Sequence, residues 1–184
     1  MQLLTRRTLV AAAGAISLAV VAPGIAAAAV NPPGDIPDNQ AFVTYRAPAY
    51  SVQVPEGWQR TVSSTAVRFS DKYNSIDAAV GVSAKAPTLD SVPRSELPRL
   101  ARSVKGFAGA KVTVVRRKSG PALLITYRAA SARNPVTGKS VTNDVQRYEF
   151  WRAGKLVTLT LAAPHGSDNV DPWKLVTDSF IWAR

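Results

Sequence analysis

The chain has 184 residues, of which 23 are basic and 12 acidic, with a single histidine and no cysteine. The lack of cysteine excludes disulfides, thiolate metal sites, a cysteine nucleophile and a lipid anchor on a cysteine at a signal cleavage site. One histidine cannot supply the ligands that a catalytic zinc site usually needs. We therefore expect one domain that is held together by burial alone.

The first residues have the composition of a secretory signal peptide. Arg6 and Arg7 precede an apolar run over residues 9–22, Pro23-Gly24 breaks that run, and alanines occupy residues 26–29. A basic segment, a short apolar segment and small residues at a cleavage site define such a signal. We predict a signal over residues 1–29. The alternative is an uncleaved anchor, although roughly 14 apolar residues fall short of the 20 or so that span a membrane.

The signal also resembles the twin-arginine export motif. The pattern of Ser/Thr-Arg-Arg-x followed by two hydrophobic residues is matched by Thr5, Arg6, Arg7, Leu9 and Val10. No lysine follows the hydrophobic pair, and the general secretory route also accepts two arginines, so both routes stay open. An exported protein, secreted or envelope-associated but not lipid-anchored, is the expected localisation, with no transmembrane segment once the signal is removed.

The remaining chain divides into a flexible lead-in over residues 30–41, rich in proline, aspartate and asparagine, and one domain over residues 42–184. Apolar alternation predicts a series of short strands separated by turn residues. These predicted strands cover residues 42–47, 50–54, 67–71, 76–84, 111–118 and 122–130.

The long stretch over residues 145–163 predicts a β-hairpin with its turn at Ala153-Gly154, because glycine readily adopts positive φ. With an even loop, Phe150 faces Val157 and Tyr148 faces Leu159. One face of the hairpin is then apolar, while Glu149 and its neighbours make the other face polar.

Two helices are predicted. The first covers residues 93–107, with Leu97, Leu100 and Val104 on one apolar stripe. The second begins at Asp171-Pro172, with Asp171 at the N-cap and Pro172 at the first helical position, and buries an aromatic and aliphatic face. The residues expected on that face are Trp173, Val176 and Phe180.

The predicted class is therefore α+β, an antiparallel sheet with helices packed on it. The order of elements, with the segments YSVQVPEGW and DPWKLVTDSFIW, resembles the PsbP-like fold, including LpqN-type exported bacterial proteins, over residues 42–182. The resemblance implies an α/β/α sandwich, no catalytic residues, and a role in binding or assembly. LpqN-type proteins carry a lipid-anchor cysteine, which this chain lacks.

Candidate catalytic and metal-binding residues are few. His165 lies near Ser167 and Asp168, but no nucleophile-elbow pattern supports a triad, and we interpret it as a loop residue. Asp168, Asn169 and Asp171 could supply oxygen ligands for calcium, although the spacing differs from an EF-hand. Glu149 is a candidate for a hydrolase carboxylate, for which an arginine partner is the ordinary alternative. We predict no metal and no cofactor.

The basic residues are unevenly distributed. Residues 91–118 contain eight basic side chains and one acidic side chain. The helical wheel places Arg94, Arg99, Arg102 and Lys105 opposite the apolar stripe, as a contact for an anionic envelope component or an acidic protein. A solvated helix face is the alternative interpretation. Adjacent Arg116 and Arg117 on a strand must point to opposite faces, so the basic residues cannot form one patch.

The sequence thus predicts an exported, non-catalytic binding or assembly module of the bacterial envelope or extracellular space, with a cell-envelope hydrolase as the alternative. The partner is an unknown protein or anionic envelope component. Nucleic acid is not expected, because the aromatic residues follow the periodicity of a core. A monomer is favoured.

Overall fold

The computed structural model describes residues 34–134 and 136–184, so the predicted signal and its twin-arginine motif lie outside the described residues. The strands in this part of the chain are β1 Phe42–Arg46, β2 Tyr50–Pro55, β3 Gln59–Val62, β4 Ala66–Asp71, β5 Asn74–Val82, β6 Ala108–Arg117, β7 Gly120–Ala130, β8 Thr142–Arg152, β9 Lys155–Pro164 and β10 Ile181–Trp182; the helices are α1 Ser91–Arg94, α2 Glu96–Ser103 and α3 Val170–Asp178.

The described strands form two antiparallel sheets, one of three strands in the order β1-β2-β10 and one of seven in the order β3-β4-β5-β9-β8-β7-β6. With the helices, they confirm the predicted α+β class.

The predicted long hairpin is strands β8 and β9, which lie near the middle of the large sheet. Phe150 pairs with Val157, Tyr148 with Leu159, and Glu149 with Thr158, so the predicted register is confirmed. The turn has positive φ at both Ala153 and Gly154, 47° and 81°. Two left-handed residues define the turn whose twist matches antiparallel strands.

The large sheet packs against other elements on both of its faces. One face packs against β2 and α3, where Trp173, Val176 and Phe180 are buried as predicted, and where Phe180 stacks on Phe150 at 4.1 Å between ring centroids. The opposite face packs under α1 and α2 through a smaller core. The buried members of that smaller core are Val92, Leu100, Leu123, Ile125, Tyr127, Ala129 and Val145.

The predicted helix over residues 93–107 is instead two short helices. Pro98 lies in the first turn of α2, where its missing N–H would have no partner in the helix in any case. The chain leaves α2 at Val104, which is extended (φ −100°, ψ 117°), and Gly106 has a φ of +70°. Lys105 consequently lies in a loop beyond the helix.

The described part of the expected flexible lead-in, residues 34–41, is attached to the domain. Ile36 is 4% exposed and belongs to the core, and its N–H donates to Asn169 Oδ1 at 2.7 Å. The Asn169 side-chain amide in turn donates to the carbonyl of Gly34 at 2.9 Å. Asn169, and not Asp171, is the residue before α3. Within residues 34–134 and 136–184, no helix combines the length and the apolar character that crossing a membrane requires.

Candidate functional site

The predicted contact residues lie on the α1–α2 side of the large sheet. Arg94 ends α1, Arg102 is in α2, Lys105 follows α2, and all three side chains are exposed. None of the three has an acidic partner within 4.0 Å among the described residues. We call these three residues the helix-side cations. Arg99 differs from them, because its guanidinium binds Glu96 at 2.6 Å.

The edge strand β6 adds cations on both sides of the sheet. Arg116 pairs with Pro121 in the register and lies on the same side as Val112 and Val114. Arg117 points to the α3 side, as the alternation predicted. There it donates to Tyr148 Oη at 2.8 Å and to Thr177 Oγ1 at 2.9 Å. Arg117 is therefore part of the packing under α3, whereas Arg116 is exposed.

A buried ionic network holds α2 on the sheet. Arg147 Nη2 lies 2.9 Å from Glu96 Oε1, and Arg147 Nε lies 3.4 Å from Glu149 Oε1. The three side chains are 16%, 14% and 4% exposed respectively. Burial raises the pKa of Glu149 above its usual value, and Arg147 opposes that rise. The predicted arginine partner of Glu149 is thus present, and Arg99 extends the network to the surface through Glu96.

Glu96 and Glu149 also line one cavity of about 440 Å³ between α1, α2 and the 83–88 segment. Paired carboxylates of differing proton affinity are what glycoside hydrolysis requires. Here, however, the guanidinium of Arg147 contacts both carboxyl groups. Arg99 also binds Glu96, so two guanidinium groups neutralise the two carboxylates, which favours a structural role.

A second, larger cavity of about 690 Å³ lies at the other end of the same sheet face. Arg68 donates to both carboxylate oxygens of Asp77 at 2.9 Å, and Ser75 Oγ lies 3.2 Å from Asp77 Oδ2. Burial raises the pKa of Asp77 above its usual value, while Arg68 lowers it. The cavity is open and polar. The ion pair between Arg68 on β4 and Asp77 on β5 forms part of its lining.

His165 directly follows β9, and its Nδ1 lies 2.8 Å from Asp144 Oδ2. Arg128 Nε lies 3.5 Å from the other oxygen of the same carboxylate. His165 and Asp144 are 49% and 44% exposed, so water screens both partners. The histidine takes part in a surface hydrogen-bonded contact at the end of the central hairpin.

Of the three candidate calcium ligands, the Asn169 side chain is used within the fold, whereas Asp168 and Asp171 are exposed. Asn169 is 2% exposed and both ends of its amide bind the 34–36 segment. The backbone N–H of Asp168 donates to Asp35 Oδ1 at 2.9 Å. Across the described ranges, no group of three or more histidine, aspartate or glutamate side chains is arranged to hold a metal ion.

The sequence did not reveal the network of Glu96, Arg147 and Glu149 as a unit. Its one signal was the polar alternation of Arg147 and Glu149 on a strand at the centre of the sheet. Such a polar face must be paired when a helix covers it. Glu96, the lone acidic residue in the basic segment, is the partner on that helix.

No protein-family model matches the chain, and no curated protein matches it. Among solved structures, it is similar to the solution structure of cyanobacterial PsbP (CyanoP) from Synechocystis, with 15% identity and a TM-score of 0.49, over 78% of this chain and 94% of that one. It is also similar to a Pseudomonas aeruginosa protein of unknown function, with 18% identity and a TM-score of 0.45, over 78% of this chain and 97% of that one. A third similar structure, from Bacteroides thetaiotaomicron, has 10% identity and a TM-score of 0.47, over 73% of this chain and 45% of that one.

The chain therefore spans less than half the length of the Bacteroides protein. Similarities of this size do not identify a ligand, a partner or an activity. The α+β class stands on the strand order and layers of this chain itself.

Proposed function

We propose that this protein is an exported, non-catalytic binding module of the bacterial cell envelope or extracellular space, and that it engages an anionic partner through the helix-side cations. The observation that supports the proposal is that these three cations are exposed and have no acidic group within 4.0 Å among the described residues. Clustered charge of one sign attracts and orients a partner of the opposite sign. Either an acidic protein or a wall or lipid polyanion meets this requirement.

The neighbouring network supports the same interpretation. Glu96 is the acidic residue closest in sequence to the helix-side cations, and it is only 14% exposed because Arg147 and Arg99 bind it. Its negative charge is therefore compensated within the fold. The outer side of α1 and α2 presents positive charge to the solvent.

The test is co-sedimentation of the purified protein with isolated bacterial envelope. Reversal of all three helix-side cations to glutamate should reduce the bound fraction while the protein stays folded, because exposed charges contribute little to stability. Reversal of three exposed cations elsewhere, namely Arg46, Arg60 and Lys155, makes the matched control. Equal loss of binding in both variants would mean that net charge alone drives adsorption and would refute a specific surface.

A hydrolase of the cell envelope is the second candidate, and one observation favours it: Glu96 and Glu149 line the same cavity. If hydrolysis occurs there, Glu149→Gln should abolish release of soluble fragments from purified cell wall. The helix-side reversal should lower that release only in proportion to binding. Wall that stays intact with the unaltered protein would remove this candidate.

A further inference from the structure

Strand β6 has ten residues, with an irregularity in its register between Ala108 and Lys111. It lies at one end of the seven-stranded sheet, and among the described residues β7 is its only strand partner, so its outer edge is open. The other end strand, β3, has four residues. Long exposed edges pair readily with another extended chain. β6 is therefore the longer of the two places where the large sheet can be extended.

The register identifies which backbone groups of β6 are free to pair. Arg117 lies opposite Gly120 across a two-residue turn, so this pair exchanges hydrogen bonds within the hairpin. Arg116 lies opposite Pro121, which has no N–H to donate. Because the pattern alternates, Val112, Val114 and Arg116 direct their N–H and C=O groups away from β7. The carbonyl of Arg116 accepts a hydrogen bond from Arg117 Nη1 at 3.3 Å, so the N–H and C=O groups of Val112 and Val114 and the N–H of Arg116 remain for an incoming strand.

The positive charge of β6 favours an acidic strand as the partner. β6 contains Lys111, Arg116 and Arg117 and no acidic residue. Pairing of two copies of β6 would bring like charges together, which destabilises a strand pair. An incoming strand with acidic residues would instead place opposite charges across from Lys111 and Arg116, and Val114, 57% exposed, would contact an apolar side chain.

We infer that β6 binds an extended acidic segment of a partner protein by antiparallel addition to the sheet edge. This inference goes beyond the proposed function, since it assigns a second contact, with a segment of a protein, to a strand edge that contains none of the helix-side cations. The register defines the segment: positions one and six are acidic, opposite Arg116 and Lys111, and position three is apolar, opposite Val114. Position three then bonds to the backbone of β6, and position four points away from it.

The experiment uses a labelled peptide, Glu-Thr-Val-Thr-Val-Glu with capped ends, and fluorescence polarisation against the purified protein. Val114→Pro removes one outward N–H without breaking the ladder to β7, since proline is tolerated on edge strands. We expect roughly tenfold weaker binding, from a lost hydrogen bond and the steric bulk of the ring. Val62→Pro on β3 is the matched control. The N–H of Ser63 donates to the carbonyl of Ala66, and because the direction alternates along a strand, the N–H of Val62 points away from β4. This control should bind as the unaltered protein does.

Modified peptides test the same inference without altering the protein. N-methylation at position three should abolish binding, and N-methylation at position four should leave it nearly unchanged. Equal binding of both methylated peptides, absence of peptide binding, or a dimer that Val114→Pro dissolves would each overturn strand addition. Failure of the proposed function has a different signature, because envelope binding would then be unaltered by reversal of the helix-side cations.

Discussion

Arg147→Met should be among the most destabilising single changes in this fold. Arg147 is 16% exposed and pairs with Glu149, which is 4% exposed. Removing one member of a buried ion pair typically costs about 3–5 kcal/mol, because the remaining charge is left uncompensated. Glu96 keeps Arg99 as a partner, so we expect the lower end, about 3 kcal/mol, which corresponds to a loss of roughly 6–12 °C in Tm for a domain of this size.

The stability lost in the Arg147→Met variant should depend on pH in a defined direction. The pKa of Glu149 is raised in the fold, so folding favours its protonated form, and stability falls as pH rises above its ordinary value of about 4.3. Without Arg147 the pKa of Glu149 in the fold rises further, so the fall in stability extends to higher pH and becomes larger. The difference in free energy of unfolding between the two proteins should thus grow from acidic to neutral pH.

Urea unfolding followed by tryptophan fluorescence at several pH values measures this difference. The double variant Arg147→Met with Glu149→Met should recover to within about 1 kcal/mol of the unaltered protein. Arg68→Met is the matched control, because the Arg68–Asp77 pair is 47% and 34% exposed and should contribute about 1 kcal/mol or less. A cost below about 1 kcal/mol for Arg147→Met, or one independent of pH, would refute the role of the network.

Three further predictions concern other parts of the chain. Trp173→Ala should cost about 3–5 kcal/mol in unfolding free energy, since the side chain is 7% exposed in the main core; a cost below about 1 kcal/mol would contradict its packing. Ala153→Asn should raise stability by about 0.5–1 kcal/mol, because Ala153 has a φ of 47° in a turn that favours Asn-Gly, and an unchanged Tm would refute that strain. Arg6→Lys with Arg7→Lys should block secretion if export follows the twin-arginine route, whereas N-terminal sequencing of secreted protein should give Ala29 or Val30 as the first residue.

Local patterns were sufficient for the central hairpin and the terminal helix. Alternating apolar residues and Gly154 fixed the register of β8 and β9, since a shift by one residue would expose every apolar side chain. Trp173 and Val176 recur at helical spacing and are buried. Both features depend on residues that are close together in the chain.

The features that could not be predicted depend on distant partners. Strand β3 reads QRTV, has four exposed residues and shows no apolar alternation, because it forms by pairing with β4 at an edge. Ile36 looked like one apolar residue in a polar lead-in, and its hydrogen-bond partner Asn169 lies 133 residues away. The ionic network joins Glu96 in α2 to Arg147 in β8. Helical and strand periodicities predict contacts only within one element, so neither predicts this ion pair.

The exposed cations beside α1 and α2 are proposed to bind an anionic partner. The most direct measurement is the affinity for isolated envelope at two salt concentrations. One is physiological, where the electrostatic screening length is about 8 Å, and the other is higher, where the screening length is shorter. The unaltered protein and the variant reversed at Arg46, Arg60 and Lys155 should bind at the lower salt and weaken at the higher. The variant reversed at the helix-side cations should bind weakly at both concentrations. Equal affinities for all three proteins, unaffected by salt, would contradict the claim.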